Sequence, residues 1–393
     1  MTNAAKQSPP KVRLRPLDGI RGLTIILIVL GHAGALIYPR DWIDNVPLLR
    51  GFFGGGAVGV FFVVGGYLVT TGLLEDRRRG TSDPIRFYAR RLIRIGVQVL
   101  PLAIAILVMS RVDPTDPYTE RATTLSVLNL VTNTTNLHGA TDLLSTRADL
   151  GHMWYVAVQQ QIYLVLPLLV LLLGGRRLAL ISLFVELAIA AIAWRFHVLD
   201  SAGWIPATIS TSTRADAPLA GAVAAVLLYR RQVSAVWATR LLTVSLATLI
   251  VLIAFVKELG DPFGYLRWWG VAFVLTATVA VVTSVRAAPG AIATRILSSS
   301  PLVWLGRASL AIFVWHLPLF LTIERHTRTW QWEPRAIVSF TCLGLLAWTT
   351  HRYLDEPARR WLATHLRPRQ VAPEDVVPGD TLSSPSVALG VGR

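Results

Sequence analysis

One cysteine, Cys342, stands in a chain of 393 residues. An internal disulfide is therefore impossible, and a metal site built from clustered thiolates is excluded. Charge is scarce as well: 16% of residues are Asp, Glu, Lys or Arg, against 53% that are hydrophobic, and the mean hydropathy is +0.52. A chain this long and this apolar is expected to be an all-α polytopic membrane protein. The segment 1–20 lacks the charged start, short apolar core and small-residue cleavage site of a removable leader, so the first apolar run is expected to stay as a span. No internal repeat of the kind that builds many transporters is visible, and no second soluble domain is expected.

The charge that is present is lopsided. Lys and Arg number 38 against 23 Asp and Glu, a formal net charge of +15. In a soluble protein this would point to nucleic acid. Here the basic residues fall in short segments between apolar runs, where they set topology, so the expected partner is the lipid bilayer and not nucleic acid. The densest are "RRR" at 77–79, "RFYARRLIR" at 86–94, and the pairs Arg176–Arg177 and Arg230–Arg231. Read as cytoplasmic, they place both termini inside.

About ten apolar runs of spanning character recur: 21–39, 56–74, 93–109, 153–173, 178–194, 215–229, 237–256, 268–285, 301–323 and 336–353. Between the third and fourth, 110–152 carries "DPTDPYTE" and reads as an irregular extracytoplasmic loop. The expected organisation is a cytoplasmic segment over 1–20, a transmembrane domain over 21–360 and a disordered cytoplasmic tail over 361–393, where Pro, Gly, Ser and acids mix without periodicity.

Two residues stand out in the opening stretch "RPLDGIRGLTIILIVLGHAG" at 15–34. Arg21 and His32 are eleven positions apart, roughly three helical turns, so they share a face, with the histidine about 16 Å deeper. An ion at that depth costs about 3 kcal/mol, so a neutral imidazole facing the bundle interior is expected. Such a ring either hydrogen-bonds a neighbouring helix or accepts a proton from a substrate. Asp18, just before "GIRG", suits a helix N-cap.

The stretch "DGIRGLTIILIVLGHAG" resembles the opening helix of the acyltransferase 3 family of integral membrane O-acyltransferases, which carries a basic residue, ten residues, then histidine. Further similarities follow in order. "GVFFVVGGYLVT" at 59–70 resembles the family's "FFVLSGFLI", and "FYARRLIRI" at 87–95 its "FYRRRARRI". "HMWYVAVQQQIYLVLPLL" at 152–169 resembles "HTWSLAVEEQFYLLLPLL". Near the end, "WLGRASLAIFVWHLPLF" at 304–320 resembles "LGRISYSLYLWHWPL", and "YLDEPARR" at 353–360 the closing Glu-Pro element. Two positions depart from the pattern: Gln159 replaces a glutamate, and Gly65 replaces a serine.

The resemblance implies transfer of an acyl group from acyl-coenzyme A, a co-substrate and not a tightly bound cofactor, to a hydroxyl of a sugar, glycolipid, polysaccharide or glycosylated metabolite. The residues supply a physical rationale. A sugar hydroxyl is a poor nucleophile at neutral pH and needs a base whose pKa lies near it, for which His32 is the candidate. Coenzyme A is polyanionic, and Arg91 and Arg94, i and i+3 on a helix at the membrane edge, suit its phosphates or serve only as topogenic charge. Arg21 is a candidate for the same cofactor or for the thioester oxygen. Tyr155, Gln159 and Tyr163 form a polar stripe at i, i+4, i+8, for interhelical hydrogen bonding or for substrate. His316 is a secondary acceptor-site candidate, before Pro318, which is expected to break its helix and free carbonyls. Glu356 is another, or a salt-bridge partner of Arg359 or Arg360. No metal site is expected. The histidine could act as base or as transient acyl carrier. Two other readings stand beside the enzyme: a transporter or flippase of a lipid-linked saccharide, and an inactive relative in which Gln159 has replaced a needed carboxylate.

Overall fold

The computed structural model describes residues 14–39, 41, 43, 57–143, 145–255 and 263–366. The described residues form helices and connecting turns. The long ones are α1 (Arg15–Leu36), α2 (Val58–Arg78), α3 (Pro84–Val112), α4 (Glu120–Thr132), α5 (Trp154–Leu173) and α6 (Arg177–Ala202). They continue with α7 (Asp216–Leu228), α8 (Ala235–Phe255), α9 (Trp268–Ser284), α10 (Ser300–His326), α11 (Trp332–Thr350) and α12 (Glu356–His365).

Each apolar run of the sequence falls on a helix. Among the described residues seven helices, α1, α2, α3, α5 with its preceding 3₁₀ turn, α6, α8 and α10, are long and apolar enough to cross a membrane. The apolar α7 and α9 have 13 and 17 residues, or about 20 and 26 Å, against a hydrocarbon core of about 30 Å. α11 is long enough, with 19 residues, but is not among the seven. The outward faces carry Leu92, Ile104, Leu164, Leu172, Ile189, Val244 and Leu345 in exposed positions. Water would penalise that surface, whereas lipid is its natural solvent.

Glycine sets the two closest helix pairs, α1 with α10 and α2 with α7. A Cβ on Gly22 would meet the Leu302 carbonyl, and one on Gly306 the Asp18 carbonyl; Gly66 and Gly221 stand in the same relation to Pro218 and Val63. Backbones approach this way only where side chains are absent, and packing of this kind holds helices together without a hydrophobic driving force. Pairing of Gly22 with Gly306 and of His32 with His316 makes α1 and α10 run in the same direction.

Several local expectations are corrected. Asp18 is not a cap: α1 begins at Arg15, and Asp18 lies in its first turn, 3.6 Å from both Arg21 and Arg307. The loop 110–152 is not irregular, since it contains α4, a short helix over Thr135–Thr141 and a 3₁₀ helix over Ala148–Met153. Its anchor is the fully buried Arg147, bonded to Asp116 at 2.9 Å, Asp149 at 2.7 Å and Thr123 at 2.9 Å. At the C-terminal end of α3, Asp113 is buried beneath Thr115, Arg325 and His326. Hydrogen bonds from Thr115 first, then from Arg325 and His326, hold its carboxyl well below the usual carboxylate range. Pro318 does not break α10, which runs on to His326. At the other end of the chain, α12 extends to His365, past the start expected for the tail; 367–393, like 1–13, lie outside the described residues.

Candidate active site

α3 starts at the membrane edge because Asp83 caps it, accepting from the Arg86 amide at 2.9 Å, with Pro84 preset for the first turn. The helix then carries Arg91 and Arg94 to one side, where α1 brings Arg21 and α5 brings Tyr155, Gln159 and Tyr163. All six line one cavity of about 330 Å³. A second cavity of about 190 Å³ adjoins it, shares Arg91 and Arg94 and adds Arg86 and Arg90.

Three arginines and one carboxylate, Asp76, line the cavity, so positive charge is in excess there. Arg21 donates to the Ser309 hydroxyl at 2.8 Å and faces Asp18 at 3.6 Å. Arg91 lies 3.8 Å over the Tyr163 ring and reaches Gln160 at 3.4 Å. Arg94 has no hydrogen bond or ion pair among the described residues. Arg21, Arg359 and Arg91 all repel it, and Asp355 offsets this in part. Three guanidinium groups sharing a small cavity favour an anionic occupant. The Gln159 amide donates to the Tyr155 hydroxyl at 2.7 Å, so the stripe on α5 is bonded within itself and turned to the cavity.

His32 does not line this cavity, although it shares a helix face with Arg21. Both face α10, Arg21 at Ser309 and His32 at His316, where His32 Nδ1 lies 3.2 Å from His316 Nε2. His152 completes a group of three rings, with centroids 4.9 Å from His316, which is itself 4.9 Å from His32. His316 and His152 are buried and His32 is half-buried. Phe313 and Tyr155, which line the cavity, pack on each other at 5.2 Å, and Phe313 packs on His152 at 5.1 Å and His316 at 5.7 Å. Two aromatic rings thus stand between the arginine cavity and the histidines.

Pro318 acts here in a way its sequence only half suggests. Lacking an N–H, it leaves the Val314 carbonyl one turn back without its helical donor, and His152 Nε2 lies 3.3 Å from that oxygen. Among the described residues no group of three or more His, Cys, Asp or Glu side chains is placed to hold a metal ion. Glu356 stands apart from cavity and histidines. It pairs with Arg352 at 2.8 Å and Arg360 at 3.3 Å, and the bond from Arg352 foremost keeps its carboxyl below the usual range. Arg359 instead donates to the Arg307 carbonyl. Ser309 and Phe313 carried no signal in the sequence, because only the approach of α10 to α1 and α5 gives them a place.

A family model described as an acyltransferase domain matches residues 15–350. The chain is 24% identical over 359 residues to the O-acetyltransferase OatA of Staphylococcus aureus, covering 88% of this chain and 57% of that protein. It is 26% identical over 364 residues to the peptidoglycan O-acetyltransferase OatA of Listeria monocytogenes, covering 88% and 55%. It is 25% identical over 370 residues to the putative peptidoglycan O-acetyltransferase YrhL of Bacillus subtilis, covering 87% and 54%. The chain spans a little over half the length of these relatives. No solved structure matches it. With the family model spanning nearly all of the helical region, the chain belongs to the acyltransferase 3 family.

Proposed function

We propose that this protein is an O-acyltransferase of the bacterial cell membrane, moving a short acyl group, acetyl in the first instance, from acyl-coenzyme A to a carbohydrate hydroxyl. The observation that carries the reading is the set of Arg21, Arg91 and Arg94 around one cavity, with no hydrogen bond or ion pair to Arg94 among the described residues. Phosphate oxygens of the donor satisfy them, and the adjoining cavity with Arg86 and Arg90 takes the nucleotide end. Both termini and the arginine cavity then face the cytoplasm, where the donor is made.

The acyl thioester passes inward along Tyr155 and Phe313 toward His32. The acceptor oxygen bonds to the thioester carbonyl carbon, the carbon–sulfur bond breaks, and His32 takes the hydroxyl proton and returns it to the departing thiolate. The products are an ester and free coenzyme A thiol. His32 near mid-membrane suits an acceptor that arrives from the opposite side. Two of the relatives are named for peptidoglycan, so an envelope glycan is the first acceptor class to examine. A transporter of a lipid-linked saccharide would need polar groups lining a path, whereas the arginines here converge on one cavity.

The test is mass spectrometry of envelope polysaccharides, glycolipids and secreted glycosylated metabolites from a deletion strain complemented with wild type or His32→Ala. Loss of one acyl mass increment, restored by wild type alone, is the expected result. Unchanged acyl content in the deletion strain, with the protein expressed in its parent, overturns the reading.

A further inference from the structure

We infer that His316 is a positioning residue for His32: it fixes the proton of His32 on Nδ1 and leaves Nε2 free as the base. The inference rests on the catalytic reading of His32 given above and adds to it which nitrogen works and what holds it.

The hydrogen bonds allow one neutral assignment. A carbonyl only accepts, so a ring nitrogen beside one must carry the proton. His316 Nδ1 lies 2.7 Å from the Phe313 carbonyl, which makes Nδ1 the donor and Nε2 the lone-pair side. His32 Nδ1 lies 3.0 Å from the Ile28 carbonyl and 3.2 Å from that lone pair. Its N–H is therefore shared between two acceptors, and its own lone pair is on Nε2. The opposite tautomer would set the Nδ1 lone pair of His32 against both the Ile28 oxygen and the lone pair of His316. Charging His316 would instead bring two N–H groups face to face.

His316 is held for this task. It is wholly buried, its Nδ1 is tied to its own helix, and Phe313, Phe320 and His152 pack around its ring at 5.7, 6.2 and 4.9 Å. His152 is tied in turn to the carbonyl that Pro318 frees. A base whose tautomer and ring plane are set before the substrate arrives loses no time or energy finding them, and second partners of this kind are typically worth 10–100-fold.

The test uses the full chain in liposomes, with ¹⁵N,¹³C-labelled histidine and solid-state NMR; the His32 signals are identified by their loss in His32→Gln. Wild type is expected to show His32 as the Nδ1–H tautomer. His316→Phe, which keeps a ring but removes the acceptor, is expected to give a tautomer mixture and to lower kcat by about 10–100-fold with the acyl-coenzyme A KM within about twofold. His316→Gln, whose amide oxygen takes the place of Nε2, is expected to keep the tautomer and most of the turnover. An Nε2–H tautomer in wild type, or an unchanged tautomer in His316→Phe, overturns the inference whatever happens to the rate. The catalytic reading fails separately, if His32→Ala turns over normally.

Discussion

Gly65 lies where any side chain would meet the hydroxyl of Tyr163, and its next neighbour would be the Gln159 amide at 3.1 Å. The two positions at which the sequence departs from the motifs it resembles are therefore one place in the structure. The Tyr163 hydroxyl occupies the room that a serine at 65 would need, and the same ring carries Arg91 on its face.

A serine at position 65 should accordingly displace Tyr163 and loosen Arg91. Gly65→Ser is expected to cost about 1–3 kcal/mol of stability through overpacking and to raise the acyl-coenzyme A KM. Adding Tyr163→Phe, which keeps the ring under Arg91 but removes the clashing oxygen, should restore most of both. Thermal melts and donor titrations of the two single variants and the double variant check this. An additive double variant would mean that the positions are independent.

Arg94 supplies the second prediction. A charge-assisted hydrogen bond is worth about 1.5–3 kcal/mol, so Arg94→Ala should weaken coenzyme A binding by about 10- to 100-fold. Because Arg94 bonds to no described group and crowds three other cations, its removal should leave the fold as stable as before or more so. Calorimetric titration of protein in nanodiscs with coenzyme A, beside a melting curve, reads both. Unchanged affinity would return Arg94 to topology alone.

The C-terminal end of α3 yields a pH prediction. The depressed pKa of Asp113 means that its contribution to stability is fully present above the unfolded value, about 3.9, and is lost as pH falls through the lower folded value. Asp113→Asn leaves the buried Arg325 without its carboxylate, so at pH 7 it should lower stability by roughly 3 kcal/mol. The gap to wild type should narrow steadily below about pH 4. Melting temperatures of both proteins between pH 3 and 8 test it, and a pH-independent gap would contradict it.

Much of the site was legible in the sequence because helical spacing is enough to group residues on one element. Arg91 with Arg94 on α3, and Tyr155 with Gln159 and Tyr163 on α5, were set side by side by periods of three and four, and all of them reach the cavity. Spacing could not say what lies opposite a face. Arg21 and His32 share theirs, yet one ends in the cavity and the other at a histidine 284 positions away. That contact exists because Gly22 and Gly306 let two backbones touch, a property of a pair of helices and not of either sequence. Asp18 departs from its pattern for a similar reason: the pattern suits a cap, but α1 begins a turn earlier and Arg21 and Arg307 claim the carboxylate. The order in 110–152 depends on Arg147 finding Asp116 and Asp149 in the folded chain, which composition alone cannot reveal.

The central claim is that His32 performs the transfer while the arginine cavity holds the donor. Protein reconstituted in liposomes, given acyl-coenzyme A and an envelope glycan acceptor, should release one coenzyme A thiol for each ester formed. His32→Ala should bind the donor as wild type does, because His32 lies outside the cavity, yet form no ester above background. Ester formation by His32→Ala at the wild-type rate, or ester formed by wild type without release of the thiol, would contradict the account.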